Sequence, residues 1–148
     1  MWFEAFLMAS LMVPLAFAQG PAAVVTIGRG SLSGVADRRE VVVRSPAEWN
    51  TLWQSHAGAD AKPPAVDFGQ DMVVAVFLGT KPTGGFAVEI VRTHLEADVL
   101  VVEYTERRPG PDASVTQALT APFHIVRMKR HAGAVRFSAT VSVRAAGG

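Results

Sequence analysis

Met72-Val73-Val74-Ala75-Val76-Phe77-Leu78 carries no polar side chain on either alternation phase. Successive side chains of a strand point to opposite faces, so a strand apolar on both phases needs cover on both sides and belongs at the centre of the fold. Downstream, Gly79 to Gly85 turn the chain. Phe86, Val88 and Ile90 then alternate with Ala87, Glu89 and Val91, giving a strand that reaches about His94. Glu96-Ala97-Asp98 turns into a strand over Val99 to Thr105, stopped by Arg108-Pro109-Gly110-Pro111-Asp112. Beyond a polar loop, Phe123 to Arg130 resumes alternation with His124, Val126 and Met128 on one phase. In the last strand Val135, Phe137, Ala139, Val141 and Val143 are expected inward, and Arg136, Ser138, Thr140, Ser142 and Arg144 outward.

Upstream of the central run the signals are helical as well as extended. Ala22 to Ile27 is a β-branched strand, followed by a turn-rich stretch with Gly28, Gly30 and Gly34, and Glu40 to Arg44 is a second strand. Ser45-Pro46-Ala47-Glu48 is a capping box with proline at the first helical position. The helix it starts places Trp49, Leu52, Trp53 and His56 on one stripe for burial against a sheet and ends near Ala57-Gly58, with His56 placed as a cation at the negative end of the helix dipole. Lys62-Pro63-Pro64 is loop, and Val66-Asp67-Phe68 is a short bridge into the central strand. About seven strands and one helix follow. Short connections imply mainly antiparallel pairing, because a parallel pair needs a crossover of about a dozen residues or more, for which this reading offers only the helix. The expected architecture is mainly β with one helix: an antiparallel β-sandwich or an α+β half-barrel.

The length of 148 residues fits one domain. Residues 1–18 have the apolar run and the Ala16-Phe17-Ala18 ending of a signal peptide, which leaves residues 19–148 as the single mature domain and implies a periplasmic or secreted protein. The run is broken by Ser10 and Pro14 and falls short of the roughly 20 apolar residues a membrane span requires, so no transmembrane segment is expected after cleavage. The absence of cysteine excludes disulfides and thiolate chemistry. Removal of Glu4 with the leader leaves 14 basic against 12 acidic side chains, net +2, which is no basis for nucleic-acid binding.

Catalysis needs titratable groups brought together, and the spacings give little support for it. His56, His94, His124 and His131 show no metal-ligand pattern, so no metal or cofactor is expected, and no Gly-x-Ser-x-Gly elbow is present. Gly28-Arg29-Gly30 has no completion as a phosphate loop. Arg127, Lys129, Arg130 and His131 form the densest basic cluster, read as a solvated or edge-protecting face. The chain reads as a non-enzyme. The segment Lys81-Pro82-Thr83-Gly84-Gly85-Phe86 is different: Pro82 fixes φ and two glycines permit positive φ, so the loop should be tight and preorganised, as recognition requires. These six residues are the candidate partner-binding site, with Thr83 and Phe86 as its principal side chains.

Three stretches carry a resemblance over about residues 41–130: Ser45 to Trp53, Val66 to Ile90 with its Pro-Thr-Gly-Gly-aromatic signature, and Pro109 to Val126 with Pro-Gly-Pro and Gln117-Ala118-Leu119-Thr120-Ala121-Pro122-Phe123. Here the chain resembles the PrcB C-terminal domain family, exported bacterial domains named for a subunit that accompanies a surface protease complex. The resemblance implies a non-catalytic protein-binding module associating with or stabilising an envelope or secreted protease. Phe86 stands where family members often carry tyrosine. The same loop also resembles the Asn-Pro-Thr-Thr-Gly-aromatic loop of chagasin-type inhibitors, with Lys81 in place of Asn and Gly84 in place of Thr; direct inhibition of papain-type cysteine peptidases is the alternative that this likeness implies.

Overall fold

The structure, a computed structural model, describes residues 23–144, and the signal-peptide reading of residues 1–18 lies outside them. Seven strands and one helix follow in the order β1 (Val24–Gly30), β2 (Arg39–Val43), α1 (Pro46–Ala57), β3 (Asp71–Phe77), β4 (Ala87–Glu96), β5 (Val99–Pro109), β6 (Phe123–Lys129) and β7 (Val135–Arg144). They form a four-stranded sheet, β1-β6-β3-β2, and a three-stranded sheet, β4-β5-β7.

Strand β3 is interior, as its double apolar phase requires, and Met72 through Phe77 are all 0% exposed. Its even phase, Met72, Val74 and Val76, packs with Val126 and Met128 of β6 against Val88, Ile90, Leu100, Val102 and Tyr104 of the three-stranded sheet. Its odd phase, Val73, Ala75 and Phe77, packs with Phe123 and Ile125 against Trp49 and Leu52 of the helix. The molecule is thus a sandwich with a helix on the outer face of one sheet, and β3 lies between two cores. Burying side chains of this size contributes roughly 1.5–3 kcal/mol each.

The helix begins where the capping box places it. Ser45 is extended (φ −140°, ψ 154°) and its hydroxyl accepts from the Glu48 amide at 3.3 Å. Trp49 is buried and its indole N–H donates to the Pro64 carbonyl at 2.9 Å, tying the proline loop to the helix. His56 stands in the last turn and on the packed stripe, as its spacing predicts, but not as the cation expected there. Its ring lies 4.3 Å from Phe123 and 5.1 Å from Trp53, centroid to centroid, and Nδ1 meets the Ser33 hydroxyl at 2.8 Å. Burial lowers its pKa, so packing against aromatic rings overrides the attraction of the helix end.

Three further expectations are corrected. Four of the five strand pairings are antiparallel, but β5 and β7 are parallel, and their crossover runs through β6 in the opposite sheet where the reading offered only the helix. Strand β6 is interior, so its basic residues guard no edge; Arg127 forms an ion pair with Asp71 of β3 at 3.2 Å. On β7 only the first half of the apolar phase is covered. Val135 and Phe137 reach the core, whereas Val141 and Val143 are 46% and 61% exposed. Their partners on β5 are Glu106 and Arg108, so at this level the inner face has turned polar.

That polar end is a clamp between the sheets. Glu106, 0% exposed, meets Arg108 Nε and Arg38 Nη2 at 2.9 Å each. Arg38 also donates to the Tyr104 hydroxyl at 3.3 Å, which donates to Glu40 of β2 at 2.7 Å. Burial opposes ionisation of Glu106, but the two guanidinium groups outweigh it and hold its carboxyl below the usual range. A second clamp joins β1, β6 and β4. His124 Nδ1 accepts from the Ile90 N–H at 2.8 Å, which puts the ring proton on Nε2, facing Thr26 Oγ1 at 2.9 Å. Burial and, secondarily, the Arg29 charge lower the pKa of His124.

Burial thus favours the neutral form of the His124 and His56 rings, whose folded pKa values lie below the unfolded value of about 6.5. Below that pH the unfolded chain binds more protons than the native one, so stability falls as pH falls, until the folded pKa values are passed. Urea denaturation should give a lower unfolding free energy at about pH 5.5 than at about pH 7.5, with a smaller difference in His124→Gln. A flat profile in the wild type over this window would show that the rings are not held neutral.

Candidate functional site

The Lys81–Phe86 segment lies between β3 of one sheet and β4 of the other, so it is a crossing between layers and not a hairpin. Neighbouring chain fixes it at several points. Lys81 N–H donates to the Thr120 carbonyl at 2.7 Å and Thr120 N–H returns a bond to Lys81 at 3.0 Å. Gly84 N–H donates to Thr116 at 2.9 Å, and the Thr120 hydroxyl donates to the Thr83 carbonyl at 2.8 Å. At the base of the loop, Thr80 N–H donates to Ala36 at 2.9 Å.

Two glycines are required by this packing. Gly79 has φ +77°, and a Cβ there would lie 2.8 Å from the Ala36 carbonyl oxygen and 2.9 Å from the Arg38 nitrogen. Gly85 has φ +88°, and a Cβ would lie 2.9 Å from both Pro109 Cβ and Val115 Cγ1. Both backbones therefore combine a left-handed φ with contact too close for a side chain.

The six predicted residues come together, but in unequal roles. Pro82 and Gly85 are exposed at the rim, while Lys81, Thr83, Gly84 and Phe86 are half-buried. The Thr83 hydroxyl donates to the Gly84 carbonyl at 2.9 Å and so serves the loop itself. Lys81 Nζ stands 5.4 Å from the centroid of the Phe86 ring, a cation–π arrangement that covers part of the aromatic face.

Beside the loop lie residues that periodicity did not single out. Segment 31–33 bonds to Ala121 (Ser33 N–H to Ala121 at 3.0 Å, Ala121 N–H to Ser31 at 2.7 Å), which sets 31–33, 119–121 and 80–83 side by side. Leu32 and Leu119 are 77% and 70% exposed. The available signal was compositional: each is a lone large apolar residue in polar surroundings, Ser31-Leu32-Ser33 and Gln117-Ala118-Leu119-Thr120. The loop and these segments form a platform of fixed backbone carrying exposed apolar side chains, suited to recognition by shape.

Reactive groups do not converge there. Among the described residues no group of three or more His, Asp or Glu side chains is placed to hold a metal ion. His94 does stand beside carboxylates, with Nε2 3.1 Å from Glu96 and Nδ1 3.4 Å from Glu103. These lie on the outward face of the three-stranded sheet, where Arg136 pairs with Glu96 and Arg92 with Glu103. Hydrogen bonding to His94 and Arg136 lowers the Glu96 pKa, and hydrogen bonding to Arg92 lowers that of Glu103, so both carboxylates are held ionised as surface ion pairs.

Comparison with known families covers the 80–83 and 119–121 parts of this platform, and leaves 31–33 outside. The family model described as PrcB C-terminal matches residues 72–129, which span β3 to β6 together with the 79–86 loop and the 110–122 connection. The Ser45–Trp53 part of the resemblance lies outside the matched range. No curated protein and no solved structure matches the chain.

Because the loop depends on the two glycines, Gly85→Ala should destabilise the domain by about 1–3 kcal/mol, and Gly79→Ala, which meets backbone atoms, by at least as much. Urea denaturation at pH 7.5 measures both; wild-type stability in either variant would show that the loop is not held as described.

Proposed function

We propose that this chain, a PrcB-like protein by its matched segment, is a non-catalytic module that binds another protein, namely an envelope or secreted protease, through the Lys81–Phe86 loop and its neighbours. The observation that carries the reading is the pairing of a backbone held by hydrogen bonds to Thr116 and Thr120 with the exposed side chains of Leu32 and Leu119. Preorganisation reduces the ordering cost of association, and large apolar side chains on a rigid support supply contact area. The apolar run ending at Ala18 supports export, and hence a periplasmic or extracellular partner.

Direct inhibition of papain-type peptidases is the second reading. It is favoured by the contact of Gly85 with Pro109 and Val115, which brings two loops together at one end of the sandwich as a wedge would need.

Affinity purification from the native envelope, run in parallel with wild type and variants, tests the first reading. Leu119→Asp and Phe86→Ala should each reduce recovery of the co-purifying protease by about tenfold or more, as loss of a hot-spot side chain does, with thermal unfolding confirming an intact fold. Unchanged recovery with both variants would remove the platform as the binding surface. Titration into a papain assay separates the readings: inhibition at micromolar protein supports the second, and its absence eliminates it.

A further inference from the structure

A groove lies on a different part of the molecule from the platform, between strand β2 and helix α1. It has a volume of about 430 Å³ and is lined on one side by Arg39, Val41, Val42 and Val43, and on the other by helix residues that include Glu48, Thr51 and Ser55. Among the described residues strand β2 is the last in its sheet and pairs only with β3, so its second edge has no backbone partner there, and its residues 39 and 41–43 line the groove.

Two of the other edges are treated differently. β1 and β4, at the opposite flank, each carry a register shift, at Thr26/Gly28 and at Ile90/Arg92, and such irregularities blunt an edge. β2 keeps an unbroken register and ends on three successive valines. The facing helix wall presents little competing polarity, since the Thr51 hydroxyl donates to Ala47 and the Ser55 hydroxyl to Thr51, both at 3.1 Å within the helix.

The ends of the groove differ in charge. The chain reverses at Arg44–Ser45, so Glu48 lies at the Val43 end. Arg39 pairs with Phe77, the residue against which His56 packs, and so marks the end nearest Ser55. Arg39 is exposed and makes no ion pair among the described residues.

We propose that this groove binds an extended peptide segment of a partner protein by strand addition to β2. The segment lies antiparallel, like every other pair in that sheet, with apolar residues at alternate positions, a basic side chain towards its N-terminal end facing Glu48, and an acidic one towards its C-terminal end facing Arg39. Main-chain bonds supply affinity and the two charges fix direction. The site is independent of the Lys81–Phe86 platform, so either can fail alone.

The probe is the acetylated, amidated peptide Lys-Thr-Val-Thr-Val-Thr-Glu, titrated into labelled protein and followed by amide chemical shifts. Shifts confined to β2 and α1, with saturation below about 1 mM, are expected. Ser55→Trp, which fills the groove from an exposed helix position, should abolish binding while leaving the fold intact. Arg39→Glu should weaken binding at least tenfold, and replacing the final Glu of the peptide by Lys should restore it. The proposal is overturned by absence of shifts at about 1 mM, by shifts centred elsewhere, or by binding insensitive to Ser55→Trp. A concentration-dependent dimer in sedimentation that Ser55→Trp dissolves would also overturn it, assigning the groove to a second copy of the chain.

Discussion

Strand β3 is pressed from both sides, and the rest of the molecule is arranged around that constraint. Its even phase supports the core between the sheets, and its odd phase supports the helix. Because both phases are apolar, β3 tolerates a one-residue slip in its own hydrophobic pattern, and its register has to be fixed by a neighbour. Strand β6 does this. Arg127 pairs with Asp71 on the helix side, and His124 reaches Ile90 and Thr26 on the other, so a slip would exchange a charge for a core residue and break both connections.

Polar contacts hold the two flanks of the sandwich. At the β1/β4 flank a neutral imidazole bridges the sheets, and at the β2/β5 flank a buried carboxylate does so between two arginines. The two respond to pH in separate windows, the imidazole near its unfolded value and the carboxylate well below it. Breaking a buried charge pair costs more than forming it contributes, so loss of either guanidinium would leave the buried Glu106 charge short of a partner. Arg38, part of that cluster, lies directly against Gly79, which links the clamp to the base of the 79–86 loop.

The two candidate surfaces use different physics on one scaffold. The platform offers fixed loops and exposed leucines, whereas the groove offers an open strand edge beside a helix whose hydroxyls are internally bonded. The backbone from Ala36 to Arg39 passes from one to the other.

Local pattern determined much of this. β-branched, apolar or alternating runs announced every strand, the double apolar phase of 72–78 its interior position, and Ser45-Pro46-Ala47-Glu48 where the helix begins, because each is settled by contacts within a few residues. Glycine and proline in 81–86 likewise announced a constrained loop. What lay beyond the sequence depended on partners distant along the chain. The parallel β5–β7 pair, the Phe123 ring packed on His56, the interior place of β6 and the uncovered half of β7 are consequences of which sheet each strand joins. The same holds for the site: Leu32 and Leu119 become neighbours of the loop only through bonds to Ala121 and Thr120, and the edge of β2 becomes a groove only when the helix folds back beside it. Periodicity reports the face a side chain needs covered; tertiary packing decides what covers it, and what stays open.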